Sequence, residues 1–146
     1  MNNQTKKKRK PRKREEAQIQ EALIGWSRWV DVDPHDKIKG KIFDYVVAIP
    51  NGGQRNLLEA KRLKAQGVKA GVSDLFLAYP IKSSETSWRA YETCGLWLEL
   101  KSKKGRISAP QDEWLYLMNE VGYATAGAYS LEEAKQAILD YLDIKT

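Results

Sequence analysis

The sequence predicts an α/β domain: a mixed four-stranded sheet flanked by helices, in the order α-β-α-β-β-α-β-α. Three observations support it. Apolar residues recur at helical spacing near both ends, as Ile19, Ala22, Leu23, Trp26, Trp29 and Val30, and as Leu131, Ala134, Ala137, Ile138, Tyr141 and Leu142. Short aromatic and β-branched runs of strand length lie between them. Helix-capping pairs three residues apart, Asn56/Glu59, Ser108/Gln111 and Ser130/Glu133, mark where helices start.

Taken in order, the first helix runs from about Glu15 for roughly four turns. "VDVDPHDKIKG" is loop-like around Pro34, and "KIFDYVVAI" (41–49) has the content of a buried strand ending at the turn "PNGG". Asn56 opens the second helix and Gly67 closes it. "SDLFLAYPI" and "GLWLELK" are the second and third strands, and residues 82–94 between them form a polar loop long enough to be functional. The Ser108–Gln111 capping box starts a helix reaching about Gly122, with Trp114, Leu117, Met118 and Val121 on one face. "YATAGAY" is the fourth strand, and Ser130 caps the last helix. Trp26, Trp29, Trp97 and Trp114 fall on apolar stripes and read as core, and Cys94 reads as a small packed residue. His35 reads as surface. Trp88, in the polar loop beside Arg89 and Tyr91, suits stacking on an unpaired base or filling a partner's surface.

Length and charge narrow the function. A chain of 146 residues fits one domain. Residues 1–14 hold eight Lys or Arg and no acid, which leaves 17 basic against 19 acidic residues in 15–146. The net charge of +6 therefore belongs to a basic tail, solvated and without fixed structure of its own, ahead of a slightly acidic domain. A solubilising tail or a localisation string has this composition too; attraction to nucleic acid is the favoured reading. One Cys and one His exclude an internal disulfide and a zinc-ligand cluster. No apolar run has the length of a membrane span and the N-terminus lacks the apolar core of a signal peptide, so an intracellular, cytoplasmic protein is expected.

In "GLWLELK", strand alternation puts Leu96, Leu98 and Leu100 on one face and Trp97, Glu99 and Lys101 on the other. Asp74 stands just before the preceding strand, and if the two strands are neighbours Asp74 and Glu99 converge. Two carboxylates with a backbone carbonyl make a hard-oxygen site suited to Mg²⁺, and Lys101 would orient an attacking water or neutralise developing charge. The spacing D-(x)24-E-x-K alone fits a strand-end salt bridge equally well.

Four stretches in order, "IPNGGQRN" (49–56), "AKRLKAQGVKAGVSDLFLA" (60–78), "GLWLELK" (95–101) and "GRISAPQDEW" (105–114), resemble the VRR-NUC nuclease domain, a branch of the PD-(D/E)XK superfamily. The resemblance spans about Glu15 to Leu142. It implies a restriction-endonuclease-like core and a Mg²⁺- or Mn²⁺-dependent DNA endonuclease. It also implies roles: Asp74 and Glu99 as metal ligands with the Leu100 carbonyl, Lys101 as catalytic lysine, and Gln111 as the glutamine that opens the next helix near the site. A glutamate from the first helix completes the set, Glu16 (followed by Gln20) being chosen, with Glu15 and Glu21 as alternatives. Ser73 stands where the family usually has Pro. Asn51 and Arg55 of the glycine-rich turn and Lys103, Lys104 and Arg106 beside the third strand are candidate DNA contacts. Lys61, Arg62 and Lys64 fit either DNA or an ordinary solvated helix face. The small stand-alone members of the family imply a homodimer acting on branched DNA such as four-way junctions, with no membrane association and no small-molecule cofactor. The rival reading is a non-catalytic nucleic-acid-binding module of the same fold, against which intact Asp74, Glu99 and Lys101 argue.

Overall fold

The computed structural model describes residues 11–50, 56–83 and 91–145. Four helices, α1 (Pro11–Ser27), α2 (Leu57–Ala65), α3 (Ala109–Glu120) and α4 (Leu131–Tyr141), interleave with six strands: β1 (Val46–Ala48), β2 (Leu75–Leu77), β3 (Ile81–Lys82), β4 (Tyr91–Thr93), β5 (Leu96–Leu100) and β6 (Ala124–Ala128). The main sheet has the order β1-β2-β5-β6. Its β1/β2 and β2/β5 pairs are antiparallel and β5/β6 is parallel, so the expected mixed four-stranded sheet is present.

Register sorts the side chains. Leu75 pairs with Leu98 and Leu77 with Leu96, while Leu98 and Leu100 pair with Ala126 and Ala128. These residues share one face, which Leu23 of α1 and Ala134 and Ile138 of α4 cover to form the buried core. Phe76, Trp97 and Thr125 lie on the opposite face, where Trp114 of α3 meets the Trp97 ring edge-on at 5.1 Å.

Several expectations need correction. Within the described residues α1 covers Pro11–Ser27, so Arg12, Lys13 and Arg14, read as part of the basic tail, are helical. The helix also stops earlier, at Ser27, whose hydroxyl bonds back to the Ile24 carbonyl at 2.7 Å; Trp29 follows it, 82% exposed rather than core. Residues 41–49 are not one strand. The Asp44 carboxylate takes the Lys41 amide at 2.7 Å and closes a 3-10 turn over Ile42–Asp44, leaving only Val46–Ala48 as an edge strand. Ile42 is nonetheless fully buried, so the apolar run signalled burial and not strand geometry.

"SDLFLAYPI" divides at Pro80, which has no amide to continue a ladder. Beyond it, β3 and β4 form a small separate hairpin within what reads as loop. Residues 84–90, Trp88 among them, lie outside the described residues, as do Asn51 and Arg55. Cys94 is exposed, not packed. On α3 the half-buried positions are Gln111, Trp114, Leu115 and Met118, whereas Leu117 and Val121 face solvent at 50% and 60% exposure.

Candidate nuclease-like site

Extending the β2/β5 register by one residue brings Asp74 directly opposite Glu99, on the face of Phe76 and Trp97. The Leu100 amide donates to Asp74 Oδ2 at 2.7 Å, and the Ile49 amide donates to the Asp74 carbonyl at 2.8 Å. These bonds lock the Asp74 backbone between β1 and its side chain onto β5. Both carboxylates thus stand at the same end of the sheet, as the sequence leads one to expect.

Glu99 is 1% exposed. Its Oε1 accepts from Gln111 Nε2 at 2.5 Å and pairs with Lys101 Nζ at 3.2 Å. Gln111 reaches it because the Ser108 capping box fixes the first turn of α3: Ser108 Oγ accepts from the Gln111 amide and Gln111 Oε1 accepts from the Ser108 amide. One side chain therefore caps its helix with its oxygen and holds Glu99 with its nitrogen. The two readings of Gln111, cap and site neighbour, are both realised. Glycine is required at residue 71 for the same arrangement. It has φ +86°, and a Cβ there would lie 2.4 Å from the Pro110 carbonyl oxygen, so the loop before Asp74 packs directly on the start of α3.

The first helix contributes as well. Glu16, Gln20, Leu23 and Ser27 form its inward stripe, while Glu21 faces solvent. Glu16 Oε1 accepts from the Ser102 amide at 3.3 Å, and Glu15 Oε1 from the Lys103 amide at 3.0 Å. The two acids hold the chain leaving β5, a role that sequence reasoning missed for Glu15; neighbouring amides one residue apart carry no sequence signal. Ser102, fully buried with its hydroxyl unpartnered, was missed for the same reason. Lys103, Lys104 and Arg106 project into solvent beside the cluster.

Burial and neighbouring acids act on Glu99 together. Burial, with the Asp74 charge second and Glu16 contributing, pushes Glu99 up to about 7 although Lys101 pulls it down. Burial also raises Asp74, against the opposing pull of the Leu100 amide and Lys101. Among the described residues, Glu99 Oε2 is buried and has no hydrogen-bond partner. Excess negative charge and an orphaned carboxylate oxygen fit a hard cation. Among the described residues, however, no three His, Cys, Asp or Glu side chains gather closely enough to hold one alone. A cation would need the Leu100 carbonyl and an approach by Glu16, which now rests on Ser102. A cavity of about 940 Å³ between Pro34, Tyr79 and Ile144 lies away from this cluster.

No family model and no curated protein matches the sequence. Among solved structures, a VRR_NUC domain protein superposes on 89% of this chain and 89% of its own, with a TM-score of 0.68 at 23% identity. With its mixed β1-β2-β5-β6 sheet between α1/α4 and α3, the protein has the restriction-endonuclease-like fold of a VRR-NUC domain.

Proposed function

We propose that the chain is a Mg²⁺- or Mn²⁺-dependent DNA endonuclease that hydrolyses phosphodiester bonds at the Asp74–Glu99–Lys101 cluster. The observation that carries this reading is half-buried Asp74, just before β2, opposite buried Glu99 on β5, with an ammonium on the same face and, among the described residues, an orphaned oxygen on Glu99. Asp74, Glu99, the Leu100 carbonyl and Glu16 are the ligands offered to the cation. When bound, it supplies positive charge where a phosphodiester under attack gains negative charge. Gln111 and Lys101 both engage Glu99 Oε1, which leaves Oε2 for the cation. The Leu100 amide does the same for Asp74 by occupying Oδ2. Lys101, 8% exposed, orients the nucleophilic water or neutralises charge on the phosphate. Exposed Lys103, Lys104 and Arg106 take the flanking phosphates, with Arg12, Lys13 and Arg14 arriving one turn before Glu15 and Glu16.

The preferred substrate is branched DNA, such as a four-way junction, cut by a homodimer whose two-fold axis matches a symmetric substrate. Cleavage of single-stranded, duplex, flap and four-way-junction DNA with each metal, alongside Lys101→Ala, tests the reading. Metal-dependent cutting of the junction that falls about a hundredfold or more in the variant is expected. Binding without cutting in either metal would sink it in favour of a non-catalytic DNA-binding module.

A further inference from the structure

Helix α2 buries none of its residues and supplies no side chain to the core. Leu57 and Leu58 open it at 88% and 79% exposure. At about 100° per residue, Leu57, Leu58, Lys61, Arg62 and Lys64 fall within one arc of about 160°. Glu59, the helix's lone acid, falls on the other side with Leu63, its one half-buried residue. The outward face is thus two leucines followed by three cations, with no acid. The excursion carrying it is rooted at the candidate site: Ile49 bonds Asp74 on the way out, and Gly71 packs on Pro110 on the way back.

An exposed leucine pair that the fold does not use calls for an occupant. A second copy bringing the same face would set cations against cations. A polyanion with accessible apolar surface between its charges satisfies both halves, and nucleic acid whose bases are unstacked has that chemistry. Resting on the nuclease reading above, we infer that α2 is a strand-opening wedge: Leu57 and Leu58 enter the opened base step at a branch point while Lys61, Arg62 and Lys64 hold the adjoining phosphates.

The test uses the full chain without divalent metal and a four-way junction carrying 2-aminopurine at the branch point, with a continuous duplex as control. The wild-type protein should brighten the junction probe severalfold. Leu57→Ser/Leu58→Ser should abolish the brightening and weaken junction binding about tenfold, with duplex binding and melting temperature unchanged. Lys61→Ser/Arg62→Ser/Lys64→Ser should weaken both DNAs and lower the salt slope of binding by about two to three. Unchanged brightening and junction affinity in the leucine variant overturn the wedge. So does a shift of that variant from dimer to monomer in sedimentation, which would assign the face to a second copy. Because these readouts need no cleavage, a protein that brightens the probe but cuts nothing in Mg²⁺ or Mn²⁺ refutes the nuclease reading and keeps the wedge. One that cuts, with junction preference intact after leucine replacement, refutes the wedge alone.

Discussion

Glu99 is the residue where fold and proposed chemistry compete. Its folded value of about 7 lies above the ordinary 4.5, so between those values the folded form holds a proton that the unfolded chain has released. Stability present below about 4.5 is therefore lost as pH rises towards 7, by on the order of 3 kcal/mol. Thermal melts of the metal-free protein should show this decline, and Glu99→Gln should flatten it and melt higher than the parent at pH 8. A decline that survives the substitution would assign it to another group. Gln111 allows a cleaner separation of roles. Ser108→Ala and Gln111→Ala each break the same capping box and should cost about 1 kcal/mol. Only Gln111→Ala also releases Glu99, so cleavage should fall more than tenfold in that variant and hold in the other; equal activities would reduce Gln111 to a cap.

Elements were legible where a local chemical signal and the burial pattern agreed. The caps at Asn56, Ser108 and Ser130 all accept the amide of the residue three positions on, as their sequence spacing implies. The leucine face of β5 is buried throughout because alternation leaves it one way to face the core. α3 was harder. Leu117 and Val121 satisfy a helical stripe as well as Leu115 does, and only the position of β5 and β6 decides which side turns inward. At Gly71, packing between a loop and a helix start decides a residue that sequence reading passes over. Gly71→Ala should lower stability by about 1–2 kcal/mol, since it combines a left-handed backbone with a clash on Pro110. A melting temperature equal to the parent's would show that the α3 start yields freely.

For the molecule as a whole, the sequence concentrates its cations ahead of the domain. Residues 1–10 carry five cations and lead into a helix whose Glu15 and Glu16 grip the chain leaving β5. Removing residues 1–10 should therefore flatten the salt dependence of DNA binding by about four in slope, with the melting temperature unchanged. An unchanged slope would give those cations another role. Stability should depend instead on the central strand. Leu98→Ala opens a void between the sheet and the helices α1 and α4 that cover this face and should cost about 2–5 kcal/mol in denaturant unfolding.

The sequence by itself determined the fold class, the order of the major elements, and the face on which Glu99 and Lys101 lie, because periodicity and capping act over a few residues. Its resemblance to a nuclease domain singled out Asp74, Glu99, Lys101 and Gln111, which the sheet and α3 bring into one cluster. Only the tertiary structure put Glu15 and Glu16 on the chain leaving β5 with Glu21 in solvent, exposed Trp29, and left α2 without a core contact. Each of those depends on which surface meets a neighbour distant in sequence. Helical and strand repeats restrict the available faces, but long-range packing selects the one that is buried.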